Sequence, residues 1–400
     1  MRRLLVTVLL ASGTALLHGQ APVTIFEGAL VIIGDGTAAI ENATIVVQGD
    51  RITQVGRTVT APAGATRVDL KGKTVMPAII DTHVHTSQTR DALIDDLRRR
   101  PQYGVSAAMS LGQDTGTDVF QIRSQPPAPG LARLFTAGRG ITMPEPGRTT
   151  APYWVTSAAE GRKAVQELAA QKVDIVKIWV DDRNGQYKKL TPDIYGPIID
   201  EAHRNKLRVT AHLFTLDDAK GLMKAGIDAF AHGVRDRDVD DEFMAMLKPR
   251  QDFVLVPNLP DRGVRADLSW LKGRLPEAEL QKLEAGNTDR PDVQTTFGIQ
   301  ARNLARMSKA GVRIALGTDG NTPWAAHVEM ADMVAAGMTP MQVLVAATRN
   351  GAEFLRLVDA GTIAVGKSAD FVVLDASPLA DITNTRRIAS VYLRGAQVPR

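Results

Sequence analysis

The strongest constraint on this chain is a spacing pattern. Short apolar runs recur along the middle of the sequence, each followed by a stretch of helical periodicity, and five of them end in side chains able to bind a metal or move a proton. The run Thr74 to Ile80 ends at His83 and His85 in Asp81-Thr-His-Val-His85, and Lys177 sits in Val173-Asp-Ile-Val-Lys-Ile-Trp-Val180. His212 follows Leu207 to Ala211, His232 follows Ile227 to Ala231, and Asp319 follows Val312 to Leu316. Further runs at Val105 to Met109, Leu134 to Ala137 and Phe253 to Val256 bring the number to eight. Helical periodicity over Ala158 to Gln171, Asp193 to Asn205 and Asp217 to Ala225 fills gaps between them. Strands alternating with helices predict a parallel sheet, and eight of them predict a closed (β/α)8, TIM-like barrel of the α/β class. In such a barrel the strand C-termini meet at one mouth, where catalytic side chains gather.

The two ends of the chain have a different texture. Gly28 to Ile33, Ala43 to Val47, Arg51 to Val55 and Arg67 to Leu70 are short apolar strands separated by Gly34-Asp-Gly36 and Gly49-Asp50. Asp370 to Asp375 and Ser390 to Arg394 repeat this pattern. Neither piece is large enough to hold a core alone. The expected organisation is therefore a small β-sandwich domain built from residues 22–75 and 361–400, beside a barrel of residues 76–360. Residues 258–296 are polar and weakly patterned, as expected of a loop acting as a lid or specificity element at the mouth.

Residues 1–21 read as an export signal: Arg2-Arg3, then the apolar stretch Leu4 to Leu17, then Gly19 to Ala21. A membrane anchor is the rival reading, but Ser12, Gly13 and Thr14 interrupt a run already short for a span. The expectation is a secreted or periplasmic protein with no stable membrane insertion after signal removal. With no cysteine in 400 residues, disulfides, lipid attachment through Cys and thiolate metal sites are excluded. The net charge is only +4 and no Lys/Arg block is interleaved with aromatics, so no nucleic-acid partner is expected.

The chemistry follows from residue type and place. In an extended strand side chains alternate, so His83 and His85 project to the same side and can reach one metal ion. Lys177 lies within a run that should be a buried strand, where a lone ammonium is costly unless paired, neutralised or chemically altered. Carboxylation of Lys177 by CO2 would make it an anion able to bridge two cations. Alternatively it snorkels to solvent or pairs with Asp319. Asp319 is placed to bind a metal and shuttle a proton, or to cap the following helix. Arg139, after the third strand, could grip a substrate carboxylate or form a structural salt bridge. Tyr153 is a candidate pocket wall or a loop-packing residue, and His327 a candidate for substrate contact or for orienting a loop.

Two stretches carry a family likeness. Thr74-Val-Met-Pro-Ala-Ile-Ile-Asp-Thr-His-Val-His85 and Gly361-Thr-Ile-Ala-Val-Gly-Lys-Ser-Ala-Asp-Phe-Val-Val-Leu374 resemble the N- and C-terminal signatures of the amidohydrolase superfamily. Lys177 and the stretch from His327-Val-Glu-Met to Pro340 resemble the imidazolonepropionase-like group, which includes Xaa-Pro dipeptidases and ochratoxin-type amidases. The resemblance implies two divalent ions, zinc first with Mn, Co or Fe compatible. It implies His83, His85 and Asp319 around the more buried ion, His212 and His232 around the more exposed one, and carboxylated Lys177 as the bridge. A hydroxide between the metals would then attack an amide carbonyl, with Asp319 passing a proton to the leaving amine. The expected substrate is a small molecule or short peptide, most simply a dipeptide or N-acyl amino acid. A cyclic amide or lactone is the alternative, and a non-catalytic metal-binding exported protein a second one. The chain departs from the dipeptidase pattern at Ile141 to Gly147, where relatives carry a Gly-Gly-His-Gly-like stretch, and at Phe214, where many carry Tyr.

Overall fold

The computed structural model describes residues 21–60 and 62–399. The expected export signal, apart from Ala21, lies outside them. No helix among the described residues is long and apolar enough to cross a membrane.

Eight parallel strands form the centre of the molecule: Ile79–Val84, Val105–Ser110, Arg133–Thr136, Val176–Trp179, Val209–His212, Ala229–Ala231, Val254–Val256 and Arg313–Ile314. Their residues are almost all buried, which is why they read as continuous apolar runs without polar alternation. The first three pair as one sheet and the last five as part of another. Hydrogen bonds bridge both gaps between the sheets. Asp174 N–H donates to Thr136 O at 2.9 Å on one side. On the other, Thr82 N–H donates to Leu316 O, and Thr318 and Asp319 N–H both donate to His83 O. Bonding thus continues around the whole ring of strands.

Three of the surrounding helices start at side-chain caps. Ser157 accepts from Glu160 N–H, Thr215 from Asp218 N–H, and Asp240 from Phe243 N–H. Helix Ala158–Ala170 turns Gly161, Ala164, Val165 and Leu168 inward, the spacing of one helical face.

Both chain ends enter one eight-stranded mixed sheet. Phe371–Leu374 runs antiparallel to Thr74–Pro77, which in turn pairs in parallel with Val23–Val31. The sheet wraps a separate core that includes Phe26, Ile45, Phe371 and Tyr392. The run Thr74 to Ile80 is two strands rather than one. Thr74–Pro77 belongs to this sheet and Ile79–Val84 to the central ring, because Pro77 and Ala78 end one set of ladder bonds before the next begins.

Residues 258–296 are not the weakly patterned loop expected. They contain a 3-10 turn at Ser269–Leu271, helix Glu277–Gly286, and the start of helix Pro291–Lys309. Leu271, Leu275 and Leu280 pack with Tyr103, and Trp270 stacks edge-on to Trp324 and His327. These apolar residues belong to several short elements, so they share no single period in sequence.

Candidate metal centre

Asp319 is the hub of the mouth. Its carboxylate lies 3.0 Å from His83 Nε2, 2.9 Å from His85 Nε2 and 3.5 Å from His232 Nε2. The ligand atoms of His83, His85 and Asp319 all lie within 4.8 Å of one another. His212 adjoins this group, its ring centroid 4.5 Å from that of His232. The fully buried Nζ of Lys177 has no hydrogen-bond partner. It stands over the Trp179 ring at 5.2 Å.

Strained backbone accompanies these side chains. Asp319, His232 and Asn258 have φ of +54°, +104° and +41°. Non-glycine residues in that region persist only when their surroundings hold them. Part of what holds Asp319 is Asp81, which accepts from His83 N–H and from both the N–H and hydroxyl of Thr318. Gly317 lets the last strand come close: a Cβ there would fall 2.7 Å from His83 Cβ and 2.5 Å from Val256.

The electrostatics fit a cation better than a proton. Burial lowers the His83 imidazole to about 4, with Lys177 adding to the effect, so the ring is neutral at pH 7. In the adopted arrangement Asn258 Oδ1 lies 2.9 Å from His83 Nδ1 and takes that nitrogen's hydrogen. The Nε2 lone pair then faces a carboxylate oxygen at 3.0 Å, without the alignment of a hydrogen bond. Burial would raise the Asp319 carboxyl, but His83, His85 and His232 outweigh it and hold Asp319 well below the usual carboxylate range. His232 Nε2 is also buried without a hydrogen bond. Burial pulls the Lys177 amine down to about 7, against the attraction of Asp319. Several neutral imidazoles, an ionised carboxylate and an amine near neutrality suit a divalent cation chemically.

The His83, His232 and His212 side chains are 0%, 4% and 8% exposed, against 21% for His85 and 36% for Asp319. Phe214 packs on both His212 and His232, and Arg183 Nη1 approaches His212 Nε2 at 3.1 Å, covering that side.

The three candidate substrate contacts lie elsewhere. Arg139 donates to the carbonyls of Thr150, Ala151 and Pro152 and stands 4.1 Å from the Tyr153 ring centroid, so it staples a loop and has no fork left for a carboxylate. Tyr153 packs between Arg139 and Glu167 on helix Ala158–Ala170 rather than walling the mouth. His327 is buried, with Nδ1 at 3.1 Å from Thr385 Oγ1 and Nε2 at 3.0 Å from Tyr103 O, so both nitrogens serve packing.

Other residues escaped sequence reasoning. Asn258 follows a strand end as the histidines do, a signal that was available. Asp181, Arg183 and Glu145 form an ion-pair chain running to His212. A cavity of about 570 Å3, within the range of small-ligand pockets, is lined by Leu259, Arg262 and Glu329 among others and reaches Thr318, the residue before Asp319.

Comparison with known proteins agrees with this geometry. An uncharacterized protein of Mycobacterium tuberculosis is 29% identical over 310 residues, covering 73% of this chain and 77% of its own. The imidazolonepropionase of Deinococcus radiodurans is 26% identical over 388 residues, covering 90% and 92%. Among solved structures, a Bifidobacterium longum protein ascribed to the prolidases superposes with a TM-score of 0.78 at 27% identity, covering 95% of each chain. A Xaa-Pro dipeptidase with bound methionine in the active site shares the fold at a TM-score of 0.73 and 21% identity, over 94% of this chain and 99% of its own. The model of the Amidohydrolase family matches residues 74–398, and the chain belongs to that family of hydrolases.

Proposed function

We propose that this protein is a binuclear metal-dependent amidase acting on a linear amide in a dipeptide or N-acyl amino acid. The observation that carries the proposal is Lys177: a fully buried amine without a hydrogen bond, its pKa drawn down to about 7, among four histidines and an ionised aspartate. Such an amine reacts with CO2, losing a proton and becoming a carbamate. In this reading His83, His85 and Asp319 would hold one divalent ion, His212 and His232 another, and carboxylated Lys177 would join them, with zinc suited and Mn, Co or Fe compatible. When bound, the ions would acidify water and polarise the scissile carbonyl.

The chain's own groups do the rest. Asp319 is ionised and partly exposed, so it takes a proton from water and delivers it to the departing amine. Asn258 keeps the His83 hydrogen on Nδ1 and its lone pair directed inward. Phe214 keeps solvent off His212 and His232.

A second reading, opening of a cyclic amide, is favoured by the imidazolonepropionase relative that matches over most of the chain. A mass-spectrometric turnover screen in zinc and bicarbonate separates the two. Cleavage of dipeptides or N-acyl amino acids supports the proposal. Turnover of lactams alone supports the second reading, and metal binding without any turnover refutes both. Arg2-Arg3 and the apolar run after them extend the proposal to export from the cytoplasm, tested by N-terminal sequencing of the mature protein.

A further inference from the structure

Arg235 lies three residues beyond His232, past the C-terminal end of strand Ala229–Ala231. Its backbone N–H donates to Phe214 O at 2.9 Å, tying this loop to the exit of the neighbouring strand. Its guanidinium carbon stands 3.2 Å from the centroid of the Phe214 ring. That ring is 4.5 Å from His212 and 5.3 Å from His232, centroid to centroid. The cation is therefore held beside the two histidines by an aromatic plane that offers it no acceptor.

Four other arginines near the mouth are engaged: Arg183 by Glu145 and Asp181, Arg262 by Asp332, Arg290 by Asp261, and Arg139 by three carbonyls. Arg265 and Arg386 line the cavity at Leu259 and Glu329, whereas Arg235 is the one that stands against the ring packed on His212 and His232. Arg235, half-buried, forms no hydrogen bond through its side chain and no ion pair with any described residue. Burial draws its pKa down to about 10, with Asp181 and Asp319 opposing, so it stays charged at neutral pH. A partly desolvated guanidinium with free donors gains most from a planar anion held by two parallel N–H groups.

We propose that Arg235 is the specificity-determining residue of this site and holds the carboxylate of the substrate, selecting anionic acyl amino acids or dipeptides over neutral amides. The role expected of Arg139 falls to Arg235 because Phe214 leaves its guanidinium unclaimed while the loop carbonyls claim that of Arg139. The proposal rests on the amidase reading, and the test keeps the two separable.

Zinc-loaded enzyme in bicarbonate is assayed for acetate release from N-acetyl amino acids and from the same compounds capped as carboxamides. The expected wild-type kcat/KM ratio, acid over amide, is about 100 or more. Arg235→Gln lowers that ratio at least about 10-fold, mainly through KM, and Arg235→Lys, which keeps charge without the fork, falls between. Arg139→Gln keeps the wild-type ratio. An unchanged ratio in both Arg235 variants overturns the proposal. Calorimetric binding of an N-acetyl amino acid supplies a readout independent of turnover. If nothing is hydrolysed yet the wild type binds this ligand at least about 10-fold more tightly than Arg235→Gln, the amidase reading fails and the anchor stands. Equal affinity, or no binding to the wild type, sinks the anchor.

Discussion

Replacing Lys177 by Met should change stability in opposite directions with and without metal at pH 9. The amine is buried, and its pKa falls from 10.5 to about 7, chiefly through burial. The unfolded chain therefore holds this proton up to about pH 10.5, while the folded chain releases it near pH 7. Below pH 7 folding carries the whole cost, an upper figure of about 5 kcal/mol at ~1.4 kcal/mol per pH unit. The cost shrinks to about 3 kcal/mol at pH 8 and vanishes near pH 10.5, so stability from this group rises with pH across that window. Methionine fills similar space without a charge. In chelator and CO2-free buffer, Lys177→Met should raise stability at pH 6.5 by several kcal/mol, and by less at pH 9. In zinc and bicarbonate the wild type gains binding energy that the variant lacks, ~2.7 kcal/mol at a ligand concentration 100 times its Kd, which narrows the gap at pH 6.5 and reverses the order at pH 9. Urea denaturation at the two pH values, under both conditions, reads all four quantities. A Lys177→Met protein less stable than wild type without metal, or equally stabilised by metal, would refute the reasoning.

Three further outcomes are expected. Gly112→Ala places a Cβ 2.6 Å from the Trp179 ring and 2.8 Å from Lys177 Cγ at a φ of +98°, so it should cost about 1–3 kcal/mol and displace Lys177. The loss of a carbamate signal after 13C-bicarbonate labelling checks this. Asn258→Ala should weaken metal affinity about 10–100-fold by freeing the His83 ring, measured by competition with a chromogenic chelator. Asn258→Gly, which relieves the backbone but still lacks the amide, should lose as much. Arg139→Ala should lower the unfolding midpoint, with a loss of about 1.5–3 kcal/mol for its carbonyl bonds.

How far the sequence could be read depended on the range of the interaction involved. The parallel strands were legible because a strand buried on both faces must be apolar along its length, and the helices between them because one face must repeat every three or four residues. The histidines, Lys177 and Asp319 stood out as polar residues at the ends of apolar runs, positions that a barrel brings to one mouth. Residues 258–296 were misread because their leucines and Trp270 pack across several short elements, which leaves no single period.

What the sequence by itself determined was the set of candidate metal-binding and proton-moving groups and the strand end from which each projects. Only the tertiary structure decided which arginine is free. Arg139 and Arg235 each follow a barrel strand and look alike in sequence. One meets three loop carbonyls contributed by residues 150–152, and the other meets the face of Phe214. An arginine's role depends on whether an acceptor reaches it: carbonyls 11 to 13 residues further on reach Arg139, whereas Arg235 meets an aromatic face at a neighbouring strand exit. Asn258 emerges at a strand end that the sequence marks, but its partner His83 lies 175 residues away. Short-range pattern encodes where a side chain emerges; long-range packing selects what it meets.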